Sequence, residues 1–145
     1  MFIPILLIVA SFLFMEFMAW FTHKFIMHGF MWVWHESHHK PRHGAFEKND
    51  LFSVVFALPA IAFTLTGSIF HEYEFLKWVG IGITCYGIFY FIFHDVIVHR
   101  RLNIKFIAKS NYMKRIIRAH KIHHKKMTKE DGEAFGFLYA PKKYQ

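Results

Sequence analysis

Three mostly apolar runs, about Phe2 to Phe21, Leu51 to Phe70 and Phe75 to Phe93, leave this chain few folds to choose from. In a bilayer each backbone N–H and C=O must be satisfied within its own element. About 20 apolar residues are what an α-helix needs to cross a hydrocarbon core of roughly 30 Å. Runs of that length in 145 residues, with 54% hydrophobic content and 19 phenylalanines, predict one all-α integral-membrane domain over 1–145 with three transmembrane helices. Only His71-Glu72-Tyr73-Glu74 separates the second run from the third, so those two form a tight helical hairpin. The first run lacks a basic start and a small-residue cleavage site before His23, which predicts a retained anchor rather than a signal peptide.

Basic residues set the orientation, because they stay on the cytoplasmic side. Of 18 Lys and Arg, four lie between the first two runs (Lys24, Lys40, Arg42, Lys48), 13 follow the third, and only Lys77 belongs to the hairpin region. The expectation is a multi-pass protein of the cytoplasmic (inner) membrane with its N-terminus outside and its C-terminus inside. Segments 23–50 and 94–145 are then cytoplasmic. Such a basic face suits anionic lipid or an acidic protein partner, and nothing in it points to nucleic acid. Between Arg100 and Ile117, basic residues mixed with Leu102, Ile104, Phe106, Ile107, Ile116 and Ile117 predict an interfacial helix. Asn49 or Asp50 is expected to N-cap the second span. Cys85 is the single cysteine; it can form no intramolecular disulfide and is expected to be a small buried residue of the third span.

Ten of the 12 histidines fall on that face in a pattern stated twice: His23-x4-His28 with His35-x2-His38-His39, then His94-x4-His99 with His120-x2-His123-His124. The first cluster recurs 71 residues on (23 to 94) and the second 85 residues on (35 to 120). Imidazole is the commonest protein ligand for transition metals. Ten are too many for one ion of about four to six ligands, so two metals with about five histidines each is the simplest reading. In a helix, H-x2-H-H lies on one stripe about 100° wide, and the three nitrogens are expected to converge on one place. Residues five apart diverge by about 140° in a regular helix. Either the H-x4-H pairs straddle the two ions, or a π-bulge or fraying at the span end brings them together. His43 and His71 stand outside the pattern and are expected to be ordinary interfacial residues.

His35-Glu36-Ser37-His38-His39 also contains His-Glu-x-x-His, the zinc-protease signature with glutamate as general base. The second copy has Lys121 where that glutamate stood, and a single-zinc protease has no use for five further histidines. A bis-histidine haem electron carrier would leave the H-x2-H-H triples unused, and a transporter would need ionisable residues along the spans, where only Glu16 stands. Neutral ligands leave two divalent ions with about four uncompensated charges. Asp95 beside His94, Glu36 beside His35, and Glu16 seven residues before His23 are the candidates to offset them from behind the ligands. The phenylalanines of the spans (Phe12, Phe14, Phe17, Phe21, Phe89, Phe91, Phe93) either line a tunnel for an apolar substrate or simply face lipid.

The four boxes in this order and spacing resemble the bacterial and plant β-carotene 3-hydroxylases of the membrane fatty-acid-hydroxylase superfamily, which are non-haem di-iron oxygenases. The segments Trp34 to His39, Phe46-Glu47-Lys48-Asn49-Asp50-Leu51-Phe52 and Phe135-Gly136-Phe137-Leu138-Tyr139-Ala140-Pro141 carry the likeness to the carotenoid branch. Boxes alone would specify only the superfamily, with its other lipid hydroxylases and desaturases. The resemblance implies hydroxylation of each β-ionone ring at C3, from β-carotene through β-cryptoxanthin to zeaxanthin, using O2 and two electrons per hydroxyl. It implies two non-haem iron ions held by His23, His28, His35, His38, His39, His94, His99, His120, His123 and His124. An external electron donor, of ferredoxin type, completes the expectation.

Overall fold

The structure, a computed structural model, describes residues 2–42 and 44–145. His43 lies outside the described residues. The elements are α1 (Phe2–Phe21), α2 (Trp32–His39), α3 (Leu51–Ile69), α4 (Glu74–Tyr90) and α5 (Asn111–His123), with no strand among the described residues. Three continuous helical stretches, Phe2–Phe30, Lys48–Ile69 and His71–Val98, are long and apolar enough to cross a membrane. Their outer faces carry side chains that only lipid would welcome, such as Phe14, Leu58 and Ile69, exposed by 58%, 62% and 69%. Cys85 also faces outward on α4 rather than inward as expected, because the inner side of that turn is taken by Tyr86.

The central helix is α4, packed against both α3 and α1. Small residues allow this approach. A Cβ on Gly80 would run into Thr64 and the Ala60 carbonyl of α3, and one on Gly82 would run into Ser11 and the Ile8 carbonyl of α1. Such contacts bring backbones together where lipid offers no hydrophobic drive for association. His71–Tyr73 forms the short turn between α3 and α4, as the hairpin spacing predicts, and His71 there is 98% exposed.

Two spans do not end as α-helices. After α1 the chain continues as a π-helix over Thr22–Phe30, broken at Gly29 (φ −103, ψ −127), and after α4 it does so over Phe91–Val98. These wider turns carry the two H-x4-H pairs. The interfacial helix expected over Arg100–Ile117 is shorter and starts later. Arg100 has φ +53, residues 102–109 are irregular, and α5 begins only after Ser110, whose hydroxyl accepts from Met113 N at 3.2 Å. The reason is visible in the sequence: Leu102, Ile104 and Phe106 alternate with period two, so no helical face exists until the cap. From Ser110 on, α5 turns Ile116, Ala119, His120 and His123 inward.

Candidate dinuclear metal centre

The π-helical turns settle the spacing problem. With bonds running from i to i+5, residues five apart come onto one side, and His23 with His28, like His94 with His99, point into a common space. The H-x2-H-H triples behave differently from expectation. His35 and His39, one helical turn apart, join His23 and His28, while His38 points to the other side; His120 and His124 join His94 and His99, while His123 crosses over. The reason is geometric: residues i and i+4 share a direction, and i+3 falls about 60° away from i, enough to reach a neighbouring ion when two such helices face one another.

Two five-histidine groups result. One is His23, His28, His35, His39 and His123; the other is His38, His94, His99, His120 and His124, each with its ligand atoms within 4.8 Å of one another. In the first group the Nε2 atoms of His35 stand 3.1 Å from those of His23 and of His39, and His28 and His123 are 3.3 Å apart. In the second, His120 is 2.9 Å from both His99 and His124, and His38 is 3.2 Å from His94. Neighbouring donors on an ion with metal–nitrogen bonds of about 2.1 Å sit roughly 3.0–3.4 Å apart, at right or tetrahedral angles. The donor sets therefore fit metal ions. The groups abut, with the rings of His39 and His124 stacked at 4.7 Å between centroids, so two ions held by them would lie side by side.

The opposite ring nitrogens explain why the Nε2 atoms face inward. In the first group, the Nδ1 atoms of His23, His28, His39 and His123 bond the main-chain carbonyls of Phe135, Lys129, Lys126 and Glu133 at 2.7–3.1 Å. One strap of chain after α5 thus orients four ligands, and Asn49 Oδ1 takes the Nδ1–H of His35 at 2.7 Å. A ring that donates from Nδ1 presents a bare Nε2 to a metal. Burial holds the imidazoles outside the spans below their usual range: His39 falls to about 4 and His123 to about 3. His99 also falls to about 3, through burial and then through His94. Neutral imidazole is the form that binds metal.

The three acidic candidates separate. Asp95 Oδ2 stands 3.5 Å from Nδ1 of His94, outside hydrogen-bond geometry, so that buried nitrogen has no acceptor; Asp95 itself is held by Arg101 Nε at 2.8 Å. Glu16 reaches the centre only through the strap: its Oε1 accepts from Phe137 N and Leu138 N at 2.9 and 2.7 Å, and its Oε2 from the Tyr86 hydroxyl at 2.9 Å. Glu36 makes a surface pair with Lys40 at 2.8 Å, so the general base of the protease reading is turned away from the histidines. Sequence reasoning missed Glu47, whose Oε2 lies 3.3 Å from Nδ1 of His38, and the role of Asn49. Neither Asn49 nor Asp50 gives a side-chain cap to α3; Asp50 Oδ2 accepts from Glu47 N at 2.9 Å instead. An acid, an amide and a second acid where one cap would serve was the available signal. The strap carbonyls left none, since a main-chain acceptor has no residue identity.

A cavity of about 390 Å³ lies among α1, α3 and α4 and reaches His23, His35, His38, His94 and His120. Its aromatic wall includes Phe52, Phe56, Phe135, Phe137, Tyr86 and Tyr90. Of the seven phenylalanines considered from sequence only Phe91 lines it; Phe93 is in the core, Phe12 packs partly buried against it beside Tyr86, and Phe14, Phe17, Phe21 and Phe89 face outward. A second cleft, of about 420 Å³, meets His99, His120 and His124 from another side and is edged by Lys40, Arg42, Arg101 and Lys121.

The sequence profile of the fatty acid hydroxylase family matches residues 8–140. A "Beta-carotene hydroxylase" of Pseudescherichia vulneris is 47% identical over 137 residues, covering 94% of this chain and 77% of the relative. One of Pantoea ananas is 49% identical over 88% of this chain and 71% of its own length. A chloroplastic "Beta-carotene hydroxylase 2" of Capsicum annuum is 39% identical over 90% of this chain and 42% of its own. No solved structure matches.

Proposed function

The chain belongs to the fatty acid hydroxylase family, and we propose that within it this protein hydroxylates the β-ionone rings of carotenoids at C3, converting β-carotene to zeaxanthin. The observation that carries the reading is the apolar cavity between the membrane-spanning helices, which ends on both histidine groups. Its volume lies in the range of ordinary ligand sites, about 300–1,000 Å³. A carotenoid is as apolar as the bilayer, so its ring enters from lipid without being desolvated from water. Each turnover consumes one ring C–H bond, O2, two electrons and two protons, and yields C–OH and water.

The ten histidines, His23, His28, His35, His38, His39, His94, His99, His120, His123 and His124, would hold two iron ions. That pair supplies the redox chemistry for O2 activation and C–H oxidation, which zinc lacks. The protein's own part is orientation. The strap carbonyls, Asn49 and Glu47 fix the imidazoles; Tyr86, Tyr90, Phe135 and Phe137 shape the space in which a ring meets the centre. The basic cleft reaches the histidines from another side than the apolar cavity and suits an acidic electron donor of ferredoxin type, drawn by charge. The division of basic residues, 17 against one, supports a site and C-terminus on the cytoplasmic side of the inner membrane, within a single domain over 1–145.

Expression in a bacterium engineered to accumulate β-carotene tests the proposal. The result expected is zeaxanthin, with β-cryptoxanthin as a transient. Unchanged β-carotene from well-expressed, iron-loaded protein with an active reductant would refute it.

A further inference from the structure

As donors the ten imidazoles are alike; the two groups differ in what stands behind the rings. Behind the first group are four main-chain carbonyls and the amide of Asn49, all neutral. Behind the second, the carboxylate of Glu47 bonds His38, and that of Asp95 lies 3.5 Å from His94 without bonding it. Both acids are gathered by Arg101, whose guanidinium lies 2.8 Å from Asp95, 2.5 Å from Asp50 and 3.7 Å from Glu47. This is an enclosed network: the side chains of Arg101 and Glu47 are 13% and 10% exposed.

Glu47 and Asn49 sit two residues apart in one turn. The turn is fixed by Asp50 Oδ2 accepting from Glu47 N and tied to α2 by Asn49 N donating to Ser37 Oγ at 3.2 Å. A single rigid turn therefore presents a charged acceptor to one metal position and a neutral acceptor to the other. A carboxylate behind a ligating imidazole raises its basicity as a ligand, and a more basic ligand favours the more highly charged ion.

Resting on the dinuclear reading above, we propose that Glu47 and Asn49 are positioning residues, one for each metal position, and that they make the positions unequal. Glu47 biases the His38 group toward ferric iron, and Asn49 leaves the His35 group biased toward ferrous iron.

The test uses the full chain, purified in detergent and loaded with Mössbauer-active iron, titrated with a chemical oxidant while ferrous and ferric iron are counted. Wild-type protein should oxidise in two steps, passing through a state with one iron of each valence. Glu47→Gln keeps an acceptor of the same size but removes its charge, and should lower the formation constant of that mixed state roughly 10- to 100-fold. Asn49→Asp should lower it too, by favouring oxidation at the other position, and the double swap should restore two steps. If Glu47→Gln holds only one iron, Glu47→Asp must recover the second; failure of that rescue overturns the proposal. So would a one-step wild-type titration, or a Glu47→Gln titration like the wild type's. A wild-type protein that never holds two irons would instead remove the dinuclear reading, before any variant is compared.

Discussion

Glu16 is one carboxylate within a span, and it fastens the strap on which the first histidine group depends. Glu16→Ala leaves Phe137 N–H, Leu138 N–H and the Tyr86 hydroxyl without their acceptor. An orphaned buried polar group costs about 1–3 kcal/mol. These bonds are only partly buried, so the low end applies, about 1 kcal/mol for each backbone amide and less for the phenol, or roughly 2–3 kcal/mol in all. The free energy is lost where the strap docks, so the C-terminal segment should open while the spans stay folded. At about 1.4 kcal/mol per factor of ten, the open population rises about 30- to 140-fold. Glu16→Gln keeps an oxygen for the two amides and gives up charge assistance only, about 1 kcal/mol, or roughly fivefold. Limited trypsin digestion at Lys125, Lys126 and Lys129 reads the open state directly, and iron content reads its consequence, because Phe135 O would leave His23. Cleavage of Glu16→Ala at the wild-type rate would refute the reasoning. So would a Glu16→Gln protein as fragile as Glu16→Ala, since geometry is preserved in the first and lost in the second.

His38→Ala and His123→Ala each take one ligand from the group made mostly by the other copy, so each should abolish zeaxanthin formation and lower bound iron; substantial turnover in either would mean that the groups work separately. Glu36→Gln should retain most activity, because an exposed pair with Lys40 contributes only about 0–1 kcal/mol; a variant as inactive as His35→Ala would show that Glu36 acts on the centre. Metal-free protein should lose stability as the pH falls below about 6.5, the unfolded value. The buried histidines refuse protons that the unfolded chain accepts, so the unfolded state binds more and stability rises with pH down to the folded value of about 4 at His39. Melting curves of the metal-free protein in detergent at about pH 5 and about pH 7 check the sign; a higher midpoint at the lower pH would contradict it.

The spans were legible because hydropathy is local: the run at Phe2 to Phe21 is α1 residue for residue, and Leu51 to Phe70 exceeds α3 by one. The division of the ten histidines into two groups of five was legible too, since it needs only stoichiometry. How the residues are distributed between the ions was not. That His38 and His123 cross over depends on two helices facing one another at a particular rotation, which no spacing within either copy records. The onset of α5 was misjudged because basic and apolar residues from Arg100 on share the composition of an amphipathic helix without its period. The strap was invisible for a deeper reason: carbonyls of Lys126, Lys129, Glu133 and Phe135 act through backbone position alone.

The crossing ligands give the duplication its physical sense. If each copy had built its own site, either half could bind metal alone, and nothing would hold the two ions side by side. Because His123 completes the group of His23, His28, His35 and His39, and His38 completes that of His94, His99, His120 and His124, an ion at either position would tie both halves of the chain together. Binding free energy at either position would then also be folding free energy for the whole histidine-bearing face. The π-helical turns belong to the same device. Thr22–Phe30 and Phe91–Val98 sit where spans end, where a widened turn disturbs the least packing, and they swing His28 and His99 onto the side of His23 and His94. A regular helix at either span end would leave one imidazole of each pair facing lipid or water, and each ion one ligand short.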